Sequence, residues 1–163
     1  MVKIAFHDMS LSVRGSSIAV YDYAHYNETI LLNSSIIIIP YSDNNDPVVL
    51  KKFSSRFPLF FYNTQEELES ILTQEKCDIL YCIKYGKNDG IKSEKIKTAI
   101  HCVFDMSEPH GDIYAGVSQT LAKKLRHTEK AKLHKRAIFN DECLSEIQEF
   151  PMDRDSLMYR STR

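Results

Sequence analysis

Four consecutive isoleucines, Ile36 to Ile39, form the longest purely aliphatic run in the chain. Successive β-branched residues favour a strand over a helix. A strand that is apolar without alternation must be buried on both faces, which is the situation of a parallel sheet with helices packed on either side. The run is far below the roughly 20 residues that a helical membrane span requires.

Similar short runs recur along the chain. Val2 to His7 is apolar and leads into the polar stretch Asp8 to Ser16, the pattern of a buried strand entering a loop. From Ser16 or Ser17 to about Asn27 the residues turn apolar and aromatic, with a serine available as N-cap, so a helix is expected directly after Gly15. Ser35 to Ile39 reads as a strand, Pro47 to Phe57 as a helix with proline in its first turn, and Leu59 to Tyr62 as a strand after the break at Pro58. Thr64, Gln65, Glu66 and Glu67 have the order of a capping box, and Leu68, Ile71 and Leu72 supply the apolar stripe of the helix behind it. Cys77 to Ile83, Ala99 to Phe104 and Ile113 to Val117 are further strands, separated by the polar loops Lys84 to Lys92 and Asp105 to Asp112, and Ser118 to Leu125 opens a helix. Such alternation predicts an α/β fold: a three-layer, Rossmann-like domain over residues 1–125 with a mostly parallel sheet. Residues 126–163 form a charged tail that is expected to be helical. In sheets of this type ligands bind beyond the carboxyl ends of the strands, which directs attention to the loops that begin at Asp8, Lys84 and Asp105.

Composition narrows the function classes. A chain of 163 residues with 43% hydrophobic and 26% charged residues suits one folded domain and argues against wholesale disorder. The net charge of -1 removes any global electrostatic case for nucleic-acid or anionic-membrane binding. Locally, Leu121 to Ala137 holds seven basic residues against Glu129 alone, while the residues beyond Ile138 turn acidic, so the basic run is open to two readings: a solvated face partly neutralised by the tail, or a phosphate, nucleic-acid or partner surface. The apolar start Met1 to Phe6 is broken too soon by His7 and Asp8 for a signal-peptide core. Cys77, Cys82, Cys102 and Cys143 show no C-x-x-C spacing, which fits a cytoplasmic, disulfide-free chain.

Several residues can carry chemistry. The loop Ser10 to Ser17 holds Arg14, Gly15 and Ser16 at a helix start, where free amides favour an anion such as a diphosphate and a guanidinium can pair with phosphate oxygens. The same features also suit a turn glycine, a serine cap and a solvated arginine. Asp8 follows His7 at the end of the first strand, so both lie near one rim where an acceptor hydroxyl can be met, although Asp8 can also simply begin a loop. Asp105, Glu108, His110 and Asp112 place three carboxylates and an imidazole within eight positions, for acid–base work, for a divalent cation although no recognised metal spacing supports one, or to shape a turn around Pro109. Cys82, His101 and Cys102 do not make a zinc site, because adjacent strand residues point to opposite sheet faces. The first helix is apolar almost all round, from Ile18 to Tyr26, which calls for deep burial or an external cover.

Lys97-Thr-Ala-Ile-His101 resembles the strand of GT-B glycosyltransferases that ends in a histidine facing the donor sugar. Gly111-Asp-Ile-Tyr-Ala-Gly-Val-Ser, followed by a helix start with Lys123 and Lys124, is similar to a segment of the family-4 type enzymes, and Asp78-Ile-Leu-Tyr resembles their preceding strand. The resemblance covers roughly residues 1–125 and implies the N-terminal, acceptor-side half of a nucleotide-sugar-dependent glycosyltransferase, inactive alone. It implies His101 as the catalytic candidate; Asp8, Arg14, Gly15, Ser16, Glu108 and His110, read from loop position and chemistry, are the candidate substrate contacts beside it. No metal or cofactor is implied beyond the nucleotide-sugar as donor substrate; the partner is a second GT-B half or a second copy of the chain. The family's paired glutamates have seven residues between them, whereas Glu142 and Glu149 have six, which sets Phe150 at the second position. The alternative from another class is a non-catalytic binding or interaction module that retains the fold.

Overall fold

The computed structural model describes residues 1–121. Six strands, β1 Lys3–His7, β2 Ser34–Pro40, β3 Leu59–Tyr62, β4 Ile79–Lys84, β5 Lys97–Cys102 and β6 Ile113–Gly116, form one sheet in the order β3-β2-β1-β4-β5-β6. All five strand pairs are parallel. The three helices among the described residues are α1 Gly15–Thr29, α2 Pro47–Ser54 and α3 Gln65–Gln74.

The isoleucine run shows why the sheet needs cover on both faces. Ile36 and Ile38 pack in one core with Leu68 and Leu72 of α3, whereas Ile37 and Ile39 pack in a second core with Val20 and Ala24 of α1 and Phe53 of α2. All four are fully buried. The layering follows from crossover handedness. The chain steps one way from β1 to β3 and the other way from β3 to β6, so right-handed connections pass over opposite faces. The three-layer, Rossmann-like architecture expected from the sequence is thus the one formed.

Local chemistry sets the helix starts. Asp46 caps α2 by accepting from the Val48 and Val49 amides, with Pro47 in the first turn. Thr64 caps α3 through the Glu67 amide, but Glu67 reaches one residue further back than a capping box requires and accepts from the Asn63 amide at 2.6 Å. α1 departs from expectation: its N-cap is Arg14, which makes no side-chain cap, and Gly15 is the first helical residue. The expected serine cap is absent because Ser17 turns inward, where its hydroxyl accepts from the Ser12 amide. Nor is α1 covered all round, since Ile18 and Tyr26 are more than half exposed. β5 begins and ends two residues earlier than the apolar run suggested, because Thr98, Ile100 and Cys102 are its inward residues while Phe104 is exposed. Ser118 accepts from the Leu121 amide, as a helix-opening serine should. The basic run beyond Leu121, Cys143, Glu142, Glu149 and the tail lie outside the described residues.

The connections β4–β5 and β5–β6 contain no helix. Their place on the α3 face is taken by loop residues, with Ile91, Ile96 and Met106 packed on the core. Glu69 of α3 fastens the first of these loops, accepting from the Glu94 amide at 2.8 Å and the Ser93 hydroxyl at 3.1 Å. Glu69→Ala leaves both donors unpaired, so urea unfolding of the variant is expected to show a loss of about 2 kcal/mol.

Candidate functional site

The strand order reverses between β1 and β4, the point at which an open parallel sheet splays its loops apart and leaves a crevice at the carboxyl ends. From β1 the chain enters the loop to α1, and from β4 it enters the helix-free loop to β5. These two segments, the first turn of α1 and the β5–β6 loop together contain six of the seven residues singled out in the sequence.

Asp8 is 5% exposed at the end of β1. Its carboxylate accepts from the Met9 amide at 2.8 Å and, more weakly, from the Ser17 hydroxyl at 3.4 Å. Burial pushes its pKa up, opposed by the Ser16 hydroxyl, the Met9 amide and the Arg14 charge. Arg14 closes the loop on itself: its guanidinium donates to the Ser12 hydroxyl at 2.8 Å, to the Ser10 carbonyl at 3.2 Å and to the Ser10 hydroxyl. It braces the loop while remaining exposed to solvent, so the phosphate-pairing and solvated readings of the sequence both stand. The amides of Gly15, Ser16 and Ser17 open α1 without a side-chain cap from Arg14, so the positive end of the helix faces the rim. A Cβ added at Gly15 would meet no atom within 4 Å, so the first helical residue borders open space.

Glu108 and His110 do come to the same rim, as parts of the loop framework. Glu108 accepts from the Asn88 amide at 2.9 Å, tying the two helix-free loops together. The His110 ring, 6% exposed, donates from Nδ1 to the Glu108 carbonyl at 2.7 Å and turns Nε2 to the Lys84 ammonium at 3.4 Å. The carboxylates of this loop are drawn apart: Asp105 caps its own turn at Ser107, and Asp112 pairs with Lys97 and the Thr98 amide.

His101 is the residue the structure separates from the rest. Its ring lies on the α1 side of the sheet, with Nδ1 2.7 Å from the Tyr81 hydroxyl, and it stacks on Tyr23 of α1 at 5.9 Å between centroids. Burial lowers its pKa. None of the other six candidates is among its partners. Cys82 and Cys102 pack in the α3-side core, on the opposite face from His101, as strand alternation requires.

Sequence reasoning set His7 near this rim but missed its partner Tyr62 and the buried Lys84. His7 is fully buried, with Nε2 2.7 Å from the Tyr62 hydroxyl, and its Nδ1 has no hydrogen-bond partner. Lys84, 4% exposed at the end of β4, donates to Asp89 at 2.5 Å and to the Ile91 carbonyl at 2.6 Å. The available signal was a lysine closing an otherwise apolar strand just before an Asp-Gly turn, a place where a buried cation needs a nearby carboxylate. A polar cleft of about 670 Å³, lined in part by Lys92, Lys95, Lys97 and Asp78, lies at the amino ends of β4 and β5, away from the switch point. No protein-family model, curated protein or solved structure matches this chain.

Proposed function

We propose that this domain is the acceptor-side half of a GT-B-type glycosyltransferase cleft and takes its ligand at the β1–β4 crevice. The observation that carries the reading is the uncapped start of α1, with open space at Gly15, beside the reversal of strand order. The residue pattern of β5 and β6 supplies the link to glycosyl transfer. Such a cleft gains rate by holding donor and acceptor between two walls, where positioning and stabilisation of the leaving diphosphate give most of the effect. One wall alone binds weakly and turns nothing over, so the reading calls for a second half or a second copy of the chain. Cys77, Cys82 and Cys102 are buried free thiols, which suits a cytoplasmic location. No helix among the described residues is long and apolar enough to cross a membrane.

The second reading, a non-catalytic binding module, is favoured by the position of His101, whose ring is engaged by Tyr81 and Tyr23 and not by the rim. Calorimetry of the full chain with several nucleotide-sugars, paired with an assay for released nucleoside diphosphate, separates the two. Millimolar binding, about 4 kcal/mol, without turnover is expected for the isolated half. Gly15→Val should abolish this binding with the fold intact, because its side chain enters open space at the start of α1. Binding unchanged by that substitution would overturn the site. Micromolar binding with turnover that His101→Ala removes would instead make the chain a complete enzyme. Binding of nucleotide alone, with no transfer when a second half is supplied, would favour the module.

A further inference from the structure

The two helix-free crossovers meet at one buried cation. The Lys84 ammonium has three protons and three acceptors: Asp89 and the Ile91 carbonyl on the β4–β5 loop, and His110 Nε2 on the β5–β6 loop. His110 can accept only as the neutral tautomer with its proton on Nδ1, which the 2.7 Å contact to the Glu108 carbonyl holds in place. The same two loops are joined again by the Asn88 amide on Glu108, by the Phe104 and Asp105 amides on the Tyr85 carbonyl, and by the Tyr114 hydroxyl of β6 on the Gly86 carbonyl.

We propose that Lys84, Asp89 and His110 form an acid-released latch that holds these two loops closed over the carboxyl rim at neutral pH. Protonation of Nε2 turns an acceptor into a donor and sets two cations against each other at 3.4 Å. The groups that face His110 are Lys84 from β4, Asp89 from the β4–β5 loop, Glu108 from its own loop and the Tyr114 ring from β6, 5.4 Å between centroids. Burial, with Lys84 beside it, holds the imidazole neutral below its ordinary range, while the Glu108 carbonyl and the charges of Asp89 and Glu108 act the other way. The latched form therefore binds fewer protons than the open one, and acidification favours opening. The consequence for the crevice is direct, because both loops stand on its β4 side. The latch does not depend on which ligand the crevice takes.

Amide hydrogen exchange of the full chain, read by NMR near pH 7 and near pH 5 and corrected for intrinsic rates, tests it. In the wild type, protection in both loops, 85–96 and 103–112, should fall together by about tenfold more at the acid end than in His110→Gln, while any fall in β1, β2 and α1 is the same in both proteins. His110→Gln, which cannot titrate, should show no such excess. Loop protection that is equal at both pH values, or an acid response as large in His110→Gln, would overturn the proposal. Should that variant fail to fold, the wild-type ring signals decide. Loop opening must follow the His110 titration curve, and opening with a different midpoint rejects the latch.

Discussion

Gly86→Ala should unfold the carboxyl rim at the β4–β5 loop and lower the urea midpoint by the equivalent of about 4 kcal/mol, near the top of the range for a single substitution. Gly86 adopts φ +131°, a conformation that an L side chain rarely takes. More decisively, a Cβ on this residue would stand 1.7 Å from the Asp105 carbonyl oxygen and 2.6 Å from its carbon. Both neighbours are backbone, so no rotamer change relieves the overlap. The Tyr85 carbonyl, which accepts from the Phe104 and Asp105 amides at 3.0 Å, would have to release both, and the Tyr114 hydroxyl would lose the Gly86 carbonyl. Gly15→Ala is the control: Gly15 meets nothing within 4 Å, and its variant should unfold within a few tenths of a kcal/mol of the wild type. A Gly86→Ala protein as stable as the control would show that the two loops do not meet here.

How much of this was legible beforehand depends on the range over which each signal acts. The isoleucine run, the proline at the start of α2 and Thr64 before α3 are local signals, and each placed its element correctly because backbone geometry and capping are decided within a few residues. The start of α1 was misjudged for the same reason in reverse. Ser16 and Ser17 look like caps, but Ser17 is drawn down to the Ser12 amide and Asp8 by contacts across the loop. The limits of β5 were set by which residues face the α3-side core, a tertiary choice that an apolar run does not encode.

The site divides along the same line. Asp8, Arg14, Gly15 and Ser16 lie on one continuous segment from the end of β1 into the first turn of α1, so their meeting was readable from strand-loop-helix order. Glu108 and His110 join them at the rim, yet their partners, Asn88 and Lys84, are 20 and 26 residues away and could not be named. His101 was placed by a resemblance of flanking residues, which fixes a strand position but not the ring's surroundings; the face it shares with Tyr81 and Tyr23 follows from sheet order and register. The buried pair of His7 and Tyr62 is further still, joining β1 to β3 past the strand between them.

That pair has the second large consequence, which is acid sensitivity of the whole fold. Burial is the main reason the His7 pKa is driven down to about 3, and the Lys84 charge adds to it against a smaller opposing effect of Asp89. In the unfolded chain the same imidazole titrates near 6.5. Because the folded value is the lower one, the stability linked to His7 is fully present above about pH 6.5 and is lost as pH falls from there toward 3. Between about pH 6.5 and pH 4 the loss amounts to about 3 kcal/mol. His7→Leu paired with Tyr62→Phe removes the titrating ring together with its hydrogen-bond partner among the described residues, so no polar group is stranded and stability at neutral pH should change little. Urea unfolding of the double variant across this range should lose about 3 kcal/mol less than the wild type. Measuring both in the His110→Gln background keeps the rim loops from contributing. An acid limb equally steep in both proteins would mean that His7 is accessible to protons in the folded state, and the buried, neutral imidazole described above would be wrong.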